Sequence, residues 1–561
     1  MNKFSNFLFS LILLSFFCFE YNAQEVVRGP YLQVATHNSI VIRWRTDVPT
    51  NSKVSFGVSA SNLDRQANLA EETTEHEVKL TGLDPLTKYY YSIGTSSTVL
   101  SGPSDLHFFK THPIPGTYAP LRAWVVGDQG KGNQGQKDVR DAYLAHSAGK
   151  STDMWLMLGD IVYDDGTDLE YQTKCFEIYP NEMKYMPIWP TPGNHDYNSV
   201  CAIPCNQDPQ QHSGPYYDIF TLPKEGEAGG VPSGTELYYS FDYGNIRFIN
   251  LNSELGSATA SFNYIGAGTN NTVTTLPMYQ WFVQDLQDAL DKKRDWIIVY
   301  WHQPPYSKGS HNSDDFITIF MKAMRENFVP VLENAGVDLM MGGHSHVYER
   351  SYMIKGHYGN SSSFNATTMM VDNSSGNFNT GEPYMKSRQD GFGGEGTVYT
   401  VLGNSGSRTS SPSLNHPVHY AKHGCDTCYG SFLLEIDGNR LDGTYIASDG
   451  TVRDQFTILK ENTLVGNKPI TNELSGVKVY PNPLENLTNI EFSLTKNSKV
   501  DITLFDLSGK KIADVLNSTN FGEGQHKVVM EVDKYKLSKG VYYLNITVNN
   551  KEKITRMIKI K

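Results

Sequence analysis

The chain has 561 residues, 39% hydrophobic and 12% aromatic, with 26 prolines and a formal charge of −12. That length calls for about two to four domains, and the composition suits soluble globular modules rich in strands and loops. Residues 471–561 carry 14 Lys+Arg against 10 Asp+Glu, so the acidic excess lies in the body before them. Such a body has no cationic footprint for a nucleic-acid backbone, whereas a small anionic substrate stays open because bound metal outweighs the global field locally.

The first stretch, "MNKFSNFLFSLILLSFFCFEYNAQ", has Lys3, an apolar run from Phe7 to Phe19 and small residues near Ala23. This is the order of a secretory signal peptide over residues 1–23, with Cys18 lost on cleavage; the run is short for a membrane-spanning helix. Residues 25–115 alternate in "SIVIRWRT", "SKVSFGV", "HEVKLTGL" and "KYYYSIGT", which predicts a small β-sandwich. A turn with Leu83 and Pro85 ahead of Tyr89–Tyr91 resembles fibronectin type III modules. The module holds no histidine–carboxylate cluster, so a structural or positioning role is expected.

From 118 to 457 the pattern changes to apolar runs that end in Gly, Asp, Asn or His: "LRAWVVGDQG", "MWLMLGDIVY", "IRFINLNS", "WIIVYWHQPP", "VDLMMGGHSH" and "GTVYTVLGNSG". Between them, "MYQWFVQDLQDAL" has helical periodicity, with Met278, Trp281, Phe282, Leu286 and Ala289 on one face. "ITIFMKAMRENFVPVLENAG" predicts a helix bent or interrupted at Pro330. Buried strands followed by polar loops predict sheets covered by helices, with function at the strand ends. Two insertions, 201–235 and 355–396, have the composition of exposed loops. Cys201/Cys205 and Cys425/Cys428 suit small disulfide loops in an exported chain, with zinc knuckles the rival reading and Cys175 left over. After a linker over 458–475, residues 476–561 alternate again, with hairpin turns at "DLSGKK" and "VNNKEK". The order "VYPNP", "LFDLSGK", "GVYYLNI" and a basic end resembles the C-terminal sorting domain of the type IX secretion system of Bacteroidetes. That resemblance implies the type IX machinery as a partner, and a secreted or cell-surface destination.

The strand endings supply the chemistry: Asp128, Asp160 and Tyr163, Asn194, His195 and Asp196, His302, then His344 and His346. Singly, each fragment is an ordinary turn or a structural histidine; their recurrence after successive apolar runs is what points to a site. Asp160 can bridge two cations with its two oxygens. Asp128, Tyr163 and His346 complete one metal's set, and Asn194, His302 and His344 the other's. Two metals about 3.5–4 Å apart can orient a phosphate, activate water and neutralise developing charge.

Asp128-x-Gly130, Gly159-Asp160-x-x-Tyr163, Gly193-Asn194-His195-Asp196, Val299-x-x-His302 and Gly343-His344-x-His346 resemble the five blocks of the purple acid phosphatases. The resemblance implies a multidomain chain with a central αββα sandwich, phosphomonoester hydrolysis by metal-activated water or hydroxide, and a binuclear centre. Fe(III) would sit at Asp128/Asp160/Tyr163/His346, and Fe(II), Zn(II) or Mn(II) at Asp160/Asn194/His302/His344. His195 is expected to donate to phosphate, with Asp196 accepting its other ring proton. His311 matches the first of two adjacent histidines in plant-type members and is a candidate for leaving-group protonation, but Asn312 replaces the second. A phosphodiester or nucleotide substrate at the same metals is the nearest alternative, and a noncatalytic binding protein on the same fold ranks below it.

Overall fold

The structure, a computed structural model, describes residues 24–197, 214–254, 273, 276–387, 396–410, 412–425, 427–461, 474–481, 484–505, 511–549 and 552–560. The expected signal peptide and the Cys201/Cys205 pair lie outside the described residues. Two compact units are present, Met1–Glu461 and Asn462–Lys561.

The first unit opens with six strands, Val26–Gln33, Ser39–Gly57, Arg65–Thr81, Lys88–Gly94, Val99–Ser101 and Phe108–Lys110. Ser39–Gly57 organises them: its first half pairs with Val26–Gln33 and its last residues with Lys88–Gly94, across register shifts between Arg45 and Ser52. Alternation places Ile40, Ile42, Trp44, Val54 and Phe56 in the core. The module does not stand apart. Its Tyr31 ring lies 4.9 Å from that of Phe176, and one contiguous apolar core runs from it into the region that follows.

Two seven-stranded sheets form that region. One runs Tyr239–Tyr243, Ile246–Asn250, Trp296–Tyr300, Leu339–Gly342, Val398–Leu402, Tyr348–Ser351, His419–His423. The other runs Tyr384–Ser387, Val452–Glu461, Arg440–Ala447, Gly430–Asp437, Leu121–Val126, Met154–Leu158, Ile188–Thr191. The strands between Ile246 and Leu402 that carry the apolar runs pair in parallel, as do Leu121–Val126, Met154–Leu158 and Ile188–Thr191. Period-two alternation explains the layering. Phe248, Ile298, Tyr300, Leu339 and Met341 face the other sheet's Val125, Leu156, Phe432 and Leu434. Ile249, Ile297, Val299 and Met340 face the helices. Pro277–Asp291 buries Met278, Trp281, Phe282, Leu286 and Ala289 there, each large apolar side chain contributing about 1.5–3 kcal/mol. Among the described residues no helix is long and apolar enough to cross a membrane.

The helix expected to bend or break at Pro330 is interrupted just before it. The chain is α-helical over Ile319–Ala323, widens to a π turn over Met324–Phe328 and resumes at Val329–Asn334 with Pro330 in its first turn. There proline's missing N–H removes no interior bond. The 355–396 insertion is also not loop throughout: Tyr384–Ser387 adds an edge strand parallel to Val452–Glu461, and buried Lys386 pairs with Asp338 at 2.9 Å. Cys425 and Cys428 form a disulfide, whereas Cys175 is a buried free thiol.

In the second unit, Leu474–Tyr480, Leu487–Leu494 and Gly524–Glu531 form one sheet, and Lys511–Phe521, Ser498–Phe505, Gly540–Val548 and Glu552–Ile560 another. Ile490, Phe492, Val500, Ile502, Leu504, Leu544 and Ile546 form their own core.

Candidate metal centre

Each proposed ligand lies within a few residues of the carboxyl end of a parallel strand, where α/β sheets open into a crevice. Asp128 follows Leu121–Val126, Asp160 follows Met154–Leu158, Asn194 follows Ile188–Thr191, His302 follows Trp296–Tyr300 and His344 follows Leu339–Gly342. Three of these turn sharply. Asp128, Asp160 and His344 have φ of 56°, 48° and 63°, left-handed conformations that side chains other than glycine seldom adopt. Strain of that kind clusters at functional sites.

Oxygens of Asp128 and Asp160 and a ring nitrogen of His302 lie within 4.8 Å of one another, all three residues buried. On one flank the Tyr163 hydroxyl is 3.0 Å from Asp128 Oδ1 and 3.1 Å from His346 Nε2. On the other, His302 Nε2 is 3.2 Å from Asn194 Oδ1 and 3.4 Å from Asp160 Oδ1. His302 Nδ1 donates to the Leu158 carbonyl at 2.8 Å, which fixes the tautomer and aims Nε2 at the carboxylates. The His344 ring lies 5.1 Å from that of His302, and its backbone N–H donates to Asp128 Oδ2 at 2.7 Å. That approach requires Gly343, where a Cβ would sit 2.4 Å from Asp128 Oδ2. Gly130 is equally crowded, 2.1 Å from the Ile161 carbonyl, so no side chain can be presented from that position.

The donor set suits cations. Burial opposes protonation of His302, yet Asp160 and Asp128 outweigh it and raise the imidazole to about 10. The potential that pulls a proton there is the potential a metal ion would occupy. Burial, then His311 and His302, hold His344 well below its ordinary value, leaving it a neutral ligand. Burial, then Asp128 and Asp160, push the Tyr163 phenol far up. Tyr163 therefore gives up its proton only to a strong Lewis acid. A hard trivalent ion suits it.

His195 sits at the rim, its ring 4.4 Å from that of Tyr163 and its backbone N–H donating to Asp160 Oδ1 at 2.9 Å. The expected Asp196 contact is replaced. His195 Nδ1 faces the Asp164 carbonyl at 2.7 Å, while buried Asp196 accepts from Gly193 N, Ile161 N, Val162 N and the Tyr171 hydroxyl. Asp196 thus ties the Asp160 and Asn194 loops together. His311 stacks on His344 with centroids 4.0 Å apart, and its Nδ1 lies 3.1 Å from the His344 carbonyl. Asn312 turns back to Asp315. Ser345 points away from the ligands, its Oγ 2.7 Å from that of Ser307, which donates to Glu349 at 2.6 Å.

The sequence reading missed two supports. The loop after Val398–Leu402 closes behind Asp128, with Ser405 N bonded to the Gly127 carbonyl and Ser407 N to that of Asp128. Its signal was the polar ending Gly-Asn-Ser-Gly-Ser, which holds no aspartate or histidine. Buried Glu254 accepts from Gln303 Nε2 at 2.9 Å beside His302; only its place after an apolar run marked it.

Comparison with known proteins agrees with this geometry. Residues 27–111 match the purple acid phosphatase N-terminal domain, residues 104–348 the calcineurin-like phosphoesterases, and residues 478–561 the secretion system C-terminal sorting domain. Purple acid phosphatase 15 of Arabidopsis thaliana is 27% identical over 361 residues, 56% of this chain and 62% of that protein. The chain is similar to the purple acid phosphatases through its N-terminal and central regions. Acid phosphatase type 7 of Danio rerio is 25% identical, covering 76% of this chain and 89% of that one. The purple acid phosphatase PPD1 of yellow lupin (Lupinus luteus) seeds shares the fold, with a TM-score of 0.54 over 77% of this chain and 74% of that one at 19% identity. This chain spans less than two thirds of the Arabidopsis phosphatase's length. Likeness to that family implies a binuclear centre, and the sorting domain implies the type IX secretion machinery and a secreted or cell-surface protein.

Proposed function

We propose that the chain hydrolyses phosphomonoesters at two metals, Fe(III) held by Asp128, Asp160, Tyr163 and His346, and Fe(II), Zn(II) or Mn(II) held by Asp160, Asn194, His302 and His344. The observation that carries this reading is the convergence of Asp128, Asp160 and His302, with Tyr163 and His346 on one flank and Asn194 on the other. When bound, the metals supply Lewis acidity that makes water nucleophilic and offsets charge on the phosphate. The protein's own groups do the rest. His195 donates a hydrogen bond from Nδ1 to the Asp164 carbonyl at 2.7 Å, which anchors the ring at the rim of the site for contact with phosphate. Burial first, then His346, holds His311 below its ordinary value, so it parts readily with a proton but carries one only in acid. That suits delivery to a leaving alkoxide at low pH. Export as a secreted or outer-surface enzyme of a Bacteroidetes-like bacterium completes the reading.

The test is a paired assay on the metal-loaded protein. Phosphomonoester kcat/KM should exceed that for the matching diester by at least about tenfold, or about 1.4 kcal/mol at the transition state. The reverse ratio transfers the site to diesters or nucleotides; full metal loading with neither activity makes the chain a binding protein.

A further inference from the structure

The ring of Tyr163 has a charged neighbour that the hydrolytic reading leaves unused. Lys131 Nζ lies 3.5 Å from the ring centroid, well within the ~6 Å over which an aromatic face holds a cation. The backbone fixes this approach. Lys131 lies in the turn after Asp128, its N–H donating to the Gln129 carbonyl at 2.8 Å, and the Tyr163 N–H donates to the Gly130 carbonyl in the same turn at 3.0 Å. The counter-charge beside it is the exposed carboxylate of Asp164, 3.4 Å from Nζ. Lys174 touches Tyr163 only through the backbone, donating from Nζ to its carbonyl.

We propose that Lys131 is a positioning residue of electronic kind, a fixed positive charge that tunes Tyr163 as a metal-bound phenolate. This rests on the reading of Tyr163 as the ferric ligand. A neutral phenol attracts the ammonium through its quadrupole alone; a phenolate adds full Coulomb attraction. The ring is in direct contact with the ammonium, so its electrons are stabilised more than those of an ion beyond the phenolic oxygen. Two consequences follow. Moving an electron from phenolate to ferric ion takes more energy, and the nearby positive charge favours the ferrous over the ferric state.

The experiment compares iron-loaded full-length protein with Lys131→Met, Lys131→Arg and Asp164→Asn, reading iron content, the visible tyrosinate band and the iron midpoint potential. Lys131→Met should move the band to longer wavelength and lower the potential. Lys131→Arg should restore both, because guanidinium also sits over an aromatic face. Asp164→Asn, which removes the counter-charge, should move both the opposite way. A methionine variant with normal iron content and an unmoved band and potential overturns the proposal. Should that variant fail to fold or load, Asp164→Asn decides, and an unmoved band and potential there overturns it. A wild-type protein that binds iron without any tyrosinate band refutes the Tyr163 assignment itself, a different failure.

Discussion

Tyr163 and Asn194 stand at opposite flanks of Asp160, and substitution separates their roles. Tyr163→Phe keeps the ring against His195 but deletes the oxygen that lies 3.0 Å from Asp128 Oδ1. Iron-loaded protein should lose its tyrosinate absorption while retaining iron held by carboxylate and imidazole; a persistent band would mean another phenol is the ligand. Asn194→Ala removes the oxygen 3.2 Å from His302 Nε2 on the other flank. Colour should remain while the divalent metal is bound at least about tenfold more weakly, the scale of losing a ligand or its support. Metal analysis after dialysis against a chelator reads this directly, and unchanged stoichiometry would break the two-site division. His195 reaches Asp160 through its backbone N–H, so His195→Ala should lower kcat/KM while leaving metal content unchanged. An unchanged kcat/KM would place the phosphate contact elsewhere.

The loop from Tyr163 to Lys174 connects this chemistry to the N-terminal sandwich. Buried Arg28 and half-buried Arg45 of the sandwich both grip Asp168, at 3.0 and 2.6 Å, at the start of the short helix Asp168–Tyr171. Glu170, in the same turn, accepts from the N–H groups of Asp164, Asp165 and Thr167 and from Lys174 Nζ. The sandwich therefore braces the segment whose carbonyl holds His195. Asp168→Ala strands two guanidinium groups, one of them buried, and should cost about 1–3 kcal/mol of stability. A lowered melting temperature and a reduced kcat/KM at normal metal content are expected; unchanged activity would reduce the clamp to simple docking. Such coupling was illegible in the sequence, because Arg28, Arg45 and Asp168 carry no spacing that links them. What was legible rested on periodicity. The buried parallel strands announced themselves as apolar runs and their endings as ligands. The strand Ile188–Thr191 was hidden because Pro190 disqualifies a central strand; it lies at the sheet's edge, where proline is tolerated. Tyr384–Ser387 was hidden by the Ser/Asn/Gly-rich composition around it, and the left-handed turns at Asp128, Asp160 and His344 by their ordinary residue types.

At the scale of the whole molecule, acid stability and export set the working range. Buried His357 lies between Tyr306, Phe364 and His416, and neither of its ring nitrogens has a hydrogen-bond partner among the described residues. Burial, then buried Arg325, lowers it to about 4, against the pull of Asp314. A histidine depressed in the fold contributes stability above its unfolded value near 6.5 and loses it as pH falls through the folded value. His357 alone should withdraw about 3 kcal/mol between pH 6.5 and 4. His357→Phe, which leaves no polar group unpaired, should remove that part of the acid dependence in urea unfolding curves; an identical slope would show that the ring ionises without opposition. The sorting unit makes the complementary case. Asn462–Lys561 has a core of its own, while the two large sheets and every proposed ligand lie before it. A chain ending at Glu461 should therefore fold, bind two metals and keep kcat/KM within about twofold of the full-length protein, and heating should abolish one transition of the longer chain without moving the other. Expressed in a host with the type IX machinery, the same truncation should be retained behind the outer membrane. Release of the truncated chain to the surface would detach export from the sorting unit, and loss of its phosphatase activity would make that unit part of the enzyme.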